Sequence, residues 1–168
     1  MIDVVILDYA RTAIGSFNGS LSKVGVSNLG AAAIKGLISR TQLSPDAIDE
    51  VIMGNVLPAG VGQAPARQAL IYAGLPDSVE STTINKMCGS GLKAIMLSKQ
   101  IILSGDSEVM VAGGMENMSL SPHVILKSRT GIRLGHGKIV DTMINDGLWD
   151  VYGQTHMGNC AELCAGKY

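Results

Sequence analysis

The chain has little charge. Asp, Glu, Lys and Arg together make up 16% of its 168 residues, and the net charge is -1. Acids and bases are interspersed, so no basic stripe offers itself to phosphates and nucleic acid is not an expected partner. Cysteine is scarce: three residues, an odd number, give no disulfide framework. With nine methionines they suit a reducing compartment. No stretch approaches the roughly 18 uninterrupted apolar residues of a membrane span. Met1-Ile2-Asp3-Val4-Val5 places an acid where a signal peptide carries positive charge. A cytoplasmic protein with no membrane partner is the expectation. There is no internal repeat and no low-complexity tract.

Apolar residues and glycine are plentiful. Hydrophobic residues reach 46%, and there are 21 glycines. Much of the chain should be buried, with many turns or close backbone approaches. Ile2 to Leu7 is a short, β-branched apolar run, read as a buried strand. Arg11 to Gly25 reads as a loop. Ser27 is a candidate N-cap for a helix carrying Leu29, Ala32, Ala33, Gly36 and Leu37. Ser44-Pro45-Asp46 starts one short helical turn. Glu50 to Leu57 is a second strand. Pro65 opens a helix that Gly74 closes, and Glu80 to Asn85 is a Thr-rich strand. Cys88 to Leu103 is a helix with Leu92, Ile95, Met96, Ile102 and Leu103 on its apolar side, stopped by Gly105. Val109 to Ala112 is the fourth strand. Strands alternating with helices predict an α/β fold with a mostly parallel sheet covered by helices on both faces. After Glu116 the regular period is lost, and the chain makes an excursion that returns to helix near Gly158 to Lys167.

Cys88 is the candidate nucleophile. It lies where a strand gives way to a helix and is followed by Gly89-Ser90-Gly91. A thiol there faces unpaired backbone N–H groups and the positive end of the helix dipole, which favour thiolate. The same N–H groups can hold an oxyanion on a thioester carbonyl. Such a site suits the transfer of an acyl group from one thiol to another. Most free cysteines, however, are buried and inert.

The same residues admit a rival reading. Gly89-Ser90-Gly91-Leu92-Lys93-Ala94 matches G-x-G-x-x-A, and Asp106 and Glu108 lie near the spacing of a ribose-binding acid, as in a dinucleotide-binding α/β domain. The preceding strand is too polar for that motif and is the third of the series. His156, Cys160 and Cys164 at i, i+4 and i+8 would share a helix face, but without a carboxylate or a Cys-x2-Cys pair the expectation is no metal. His123 and His136 read as solvated, and Trp149 as packing in the excursion. Ser90 lacks the glycine two residues before it that a nucleophile elbow needs. Arg67 reads as an ion-pair or interface residue.

Four stretches together carry a family resemblance. Ile84-Asn85-Lys86-Met87-Cys88-Gly89-Ser90-Gly91-Leu92-Lys93-Ala94-Ile95 resembles the thiolase acyl-enzyme signature. Arg11 to Phe17 with Gly19-Ser20-Leu21, Gly62 to Ala69, and Gly113-Gly114-Met115-Glu116-Asn117-Met118-Ser119 resemble further thiolase segments in the family's order. The resemblance runs from Met1 to Tyr168. It implies a thiolase-like N-terminal half over residues 1–117, with the beginning of a lid over 118–168. It implies an acyltransferase of the acetoacetyl-CoA thiolase type, in which Cys88 carries the acyl group. Leu148, His156 and Met157 would line the tunnel for the substrate's pantetheine arm. Acetyl-CoA or another acyl-CoA would be the substrate, with no further cofactor, in a homodimer or homotetramer. It also implies a second cysteine, a histidine and an asparagine in a second half of the fold, and a last strand of the first half, none of them within these 168 residues. Catalysis by this chain alone is therefore doubtful, and a fragment that only binds or assembles is the alternative.

Overall fold

The computed structural model describes residues 3–168. They fall into two compact units, Met1–Leu120 and Ser121–Tyr168. The first unit holds α1 (Val26–Thr41), β1 (Glu50–Gly54), α2 (Pro65–Ala73), β2 (Glu80–Ile84), α3 (Ser90–Ser104) and β3 (Met110–Gly114). Its three strands pair in parallel in the order β2-β1-β3. In β1, the consecutive residues Val51, Ile52 and Met53 are all buried. Successive side chains of a strand point to opposite faces, so both faces of the sheet are covered. The step from β1 through α2 to β2 and the step from β2 through α3 to β3 run in opposite directions across the sheet. Right-handed crossovers then place α2 and α3 on opposite faces. Val51 and Met53 join Ile34, Ala66, Leu70 and Val26 in the core on the α1–α2 side. The expected α/β class is what the molecule shows.

Three local expectations are corrected. Ile2 of the first predicted strand lies outside the described residues, and residues 3–8 enter no strand ladder. Val5, Ile6 and Leu7 are 69%, 78% and 65% exposed. A strand persists through hydrogen bonds to a neighbour, and among the described residues β1, β2 and β3 pair only with one another. Second, Gly25 rather than Ser27 sits at the N-cap of α1. Ser27 is buried inside the helix, and its hydroxyl hydrogen-bonds to α2, 3.3 Å from the Pro65 carbonyl and 3.1 Å from Gln68 Oε1. Third, α3 turns its small residues to the sheet. Ser90, Ala94 and Ser98 are buried, whereas Leu92, Ile95, Met96 and Leu103 are exposed. Hydrophobicity marked the wrong side of this helix because close approach to the strands admits only small side chains.

Elsewhere the expectations differ from the structure by a few residues. The Pro45 turn is a short 3-10 helix, Pro45–Ala47, and β1 ends at Gly54 rather than Leu57. Gly74 and Gly105 close α2 and α3 in the left-handed conformation.

The second unit contains two short antiparallel ladders, β4 (His123–Ile125) with β5 (Ile139–Asp141) and β6 (Trp149–Asp150) with β7 (Thr155–His156). A π-helix, Met143–Leu148, precedes β6, and α4 (Met157–Lys167) follows β7. The helix near residues 158–167 is present, whereas ladders of two or three residues are too short to leave a period in the sequence.

Candidate active site

Cys88 is exposed, in a tight turn between the end of β2 and the start of α3. The turn is held from both sides. Asn85 Oδ1 accepts the Met87 N–H at 2.9 Å. Met87 has φ +49°, a left-handed conformation that costs a non-glycine residue about 1 kcal/mol. The buried Ser90 hydroxyl accepts the Lys86 N–H at 2.8 Å and donates to the Met87 carbonyl at 2.6 Å. This places Ser90 as a brace and leaves its hydroxyl no freedom to act as a nucleophile. The helix begins two residues later than the sequence suggested. The Gly89 and Ser90 N–H groups are engaged inside the turn, donating to the Lys86 and Met87 carbonyls at 3.2 and 3.0 Å.

The turn rests on the carboxyl ends of the parallel strands, where open α/β sheets bind ligands. Gly54 ends β1 and Gly114 ends β3. A Cβ on Gly54 would lie 2.5 Å from the Ser90 Cβ, and one on Gly114 would lie 3.4 Å from the Gly91 Cα. Main chain therefore meets main chain where α3 begins, two to three residues after Cys88.

Glu116, just beyond β3, organises the loop after β1. It accepts hydrogen bonds from Asn55 Nδ2 (2.6 Å), the Val56 N–H (2.7 Å) and the Leu57 N–H (3.2 Å). Burial raises its carboxyl above the ordinary glutamate value, outweighing the lowering by those donors. Asn85 Nδ2 donates to the Val56 carbonyl at 3.2 Å, so the same loop is bound to the Cys88 turn. Asn117 Nδ2 points at the Leu21, Ser22 and Val24 carbonyls, 2.7 to 3.3 Å away, and secures the loop before α1. Sequence reasoning missed the roles of Glu116, Asn55 and Asn117. The available signal was the run Gly113 to Ser119, recognised as a motif without a role for its polar members. Among the described residues Arg67 forms no ion pair. Its guanidinium donates to the Asp77 and Val79 carbonyls, both at 2.6 Å, and shapes the approach to β2.

Leu148, His156 and Met157 belong to the second unit, Cys88 to the first. Leu148 ends the π-helix beside Trp149, and Trp149 pairs with His156 across β6–β7, so the three residues share one neighbourhood. His156 caps α4, its Nδ1 accepting the Gly158 N–H at 3.0 Å. Its backbone is extended, so it does not continue the helix face of Cys160 and Cys164 that a shared metal site would require. His123 Nε2 lies 3.9 Å from Asp141 Oδ2 across β4–β5. For the dinucleotide reading, Asp106 and Glu108 precede β3, at the amino ends of the strands. Gly89-Ser90-Gly91 lies at the carboxyl ends, so the ribose and pyrophosphate groups of one ligand would have to reach opposite edges of the sheet.

The first unit is thus a parallel α/β domain carrying an exposed cysteine above the carboxyl ends of its strands. The family model for "Thiolase, N-terminal domain" matches residues 4–168, and the chain belongs to the thiolase family. It is similar along its whole length to an acetyl-CoA acetyltransferase of Cupriavidus necator, 58% identical over 168 residues, and to one of Pseudomonas aeruginosa, 57% identical over 168 residues. In each case the match covers 100% of this chain and 43% of the relative. Acetyl-CoA acetyltransferase 2 of Arabidopsis thaliana is 51% identical over 166 residues, 99% of this chain and 41% of that protein. The chain therefore spans less than half the length of these curated relatives.

Proposed function

We propose that this chain supplies the acyl-carrying half of an enzyme that transfers acyl groups between coenzyme A thioesters, with Cys88 as the nucleophile. The carrying observation is the position of Cys88, exposed in a braced turn that leads into the positive end of α3. Its thiolate adds to the carbonyl carbon of acetyl-CoA, the oxyanion forms next to the α3 terminus, and the CoA thiolate leaves and takes a proton. A second acetyl-CoA then gives up an α-proton. Its enolate carbon bonds to the acyl carbon, and Cys88 departs as thiolate, giving acetoacetyl-CoA. The reverse sequence cleaves a 3-ketoacyl-CoA. The names of the relatives support acetyl-CoA as the acyl donor. The thiolase resemblance puts the α-proton acceptor, a second cysteine, outside these 168 residues.

In this reading the second unit is the beginning of a lid, with Leu148, His156 and Met157 lining the pantetheine channel. The working protein is a homodimer or homotetramer in the cytoplasm and takes no cofactor beyond its CoA substrates. Among the described residues no helix is long and apolar enough to cross a membrane. The test is the intact mass of the protein before and after mixing with acetyl-CoA. One acetyl group gained by the wild type and absent from Cys88→Ala is the expected result. Acetylation that survives Cys88→Ala, or none in the wild type, overturns the assignment.

A further inference from the structure

Four hydrogen bonds connect Glu116 to the residue before Cys88. The Leu57 N–H and the Val56 carbonyl belong to one peptide group. Glu116 Oε1 holds its N–H edge at 3.2 Å, and Asn85 Nδ2 holds its carbonyl edge at 3.2 Å. Glu116 Oε2 takes the N–H of Val56, on the preceding peptide, at 2.7 Å, so the carboxylate is fixed through both of its oxygens. The other end of the Asn85 amide accepts the Met87 N–H at 2.9 Å, and Met87 stands at φ +49°. We propose that Glu116 is a positioning residue for Cys88, acting through the Val56–Leu57 peptide and the Asn85 amide.

The proposal rests on Cys88 being the nucleophile. Its physical content is a chain of dependence. Met87 would relax from its left-handed conformation unless its N–H were held, and Asn85 holds it. The Val56 carbonyl, by accepting from the Asn85 amide nitrogen, fixes the orientation in which Asn85 Oδ1 faces Met87. That carbonyl points at Asn85 because Glu116 anchors the opposite edge of the peptide. Hydrogen bonds in such a chain polarise and orient one another. Leu57 is buried and Val56 half-buried, so their N–H groups have little access to water as an alternative partner. Gln at position 116 breaks the arrangement in either orientation, because its NH2 must face a backbone N–H or the Asn55 amide donor. Glu116 touches no reacting atom in this scheme; it sets where the Cys88 sulfur sits.

The experiment uses the full-length protein and two readouts on Cys88: the single-turnover rate of acetylation by acetyl-CoA, and the rate of alkylation by iodoacetamide. The variants are Glu116→Gln, Asn85→Ala and the double substitution. Each single variant should acetylate roughly 10- to 100-fold more slowly, since displacing a reacting group by about 1 Å costs that order of rate. The loss should fall on kcat more than on KM. The double variant should be no slower than the slower single, because both act through one chain. A double loss equal to the product of the single losses overturns the proposal, as does a folded Glu116→Gln with wild-type rates. If Glu116→Gln does not fold, the exposed Asn85→Ala decides alone, and a wild-type acetylation rate there overturns the relay. If wild-type protein does not acetylate, the acyl-transfer reading fails separately. The relay is then judged on alkylation, where a change of less than about threefold in both variants overturns it.

Discussion

Gly54 and Ser90 meet so closely that a methyl group on the glycine would lie 2.5 Å from the serine Cβ and 2.8 Å from its carbonyl carbon. No side-chain rotation relieves the second of these contacts, because it is to backbone. Gly54→Ala should therefore push the start of α3 off the sheet and destabilise the fold by about 1–3 kcal/mol, the usual cost of overpacking a tight core. It should also slow Cys88 acetylation more than any equally destabilising change in α1. Urea unfolding together with the acetylation rate checks both parts. Unchanged stability would mean that α3 is not seated where the structure shows it.

Ser90→Ala leaves the Lys86 N–H without its hydrogen bond and takes one of two from the Met87 carbonyl, which keeps the Ser90 N–H. A lost hydrogen bond in a part-buried setting costs about 1–3 kcal/mol. The expected result is a moderate loss of stability and slower, not absent, acetylation, since the serine braces the turn and takes no part in the chemistry. Cys88→Ala, by contrast, abolishes acetylation without removing a brace. Abolition by both substitutions would make Ser90 a reacting group.

The two carboxylates with shifted titration predict opposite pH slopes. Asp49 is held below its ordinary 3.8 by the Val109 and Glu108 N–H groups. Its stabilising effect is complete above 3.8 and is lost as the pH falls through the lower folded value. It is small, because Asp49 is exposed. Glu116 is raised above 4.5 by burial. Its folded form holds a proton that the unfolded form has released, so its contribution grows as the pH falls from above the raised value towards 4.5. Denaturant midpoints of wild type, Asp49→Asn and Glu116→Gln between pH 3 and 7 should show the Asp49 difference shrinking at the acid end. The Glu116 difference should widen on acidification from neutral pH. Parallel curves for wild type and Glu116→Gln would contradict the burial of that carboxylate.

The legible parts of the sequence were those with local causes. Gly74 and Gly105 announced two helix ends, Pro65 a helix start, and the Thr-rich stretch before Cys88 a strand. The turn that carries Cys88 was legible because a strand, a cysteine and a glycine-rich helix start lie side by side in the chain. The illegible parts depend on distant partners. Glu116 bonds residues 59 to 61 positions away, and Asn117 carbonyls 93 to 96 away. No local pattern encodes such pairs. Ser27 looked like a cap because capping serines are common, yet its hydroxyl belongs to a contact with α2, 38 to 41 residues on. For α3, bulk and hydrophobicity mark the face away from the sheet, because the sheet selects for smallness at Ser90, Ala94 and Ser98.

Where α3 begins, its seat on the sheet is built largely from main-chain atoms of Gly54, Gly91 and Gly114, and main-chain atoms have no rotamers. Thermal repacking of the core around Ile34 or Leu70 can proceed without being transmitted to the sulfur as side-chain jitter. Substitutions that gradually remodel those apolar positions can accumulate while the reference surface for the reaction stays unchanged. Mutational tolerance in this unit should thus be steeply graded: permissive in the aliphatic interior, and abruptly intolerant at Gly54, where an added Cβ meets the Ser90 main chain at 2.8 Å.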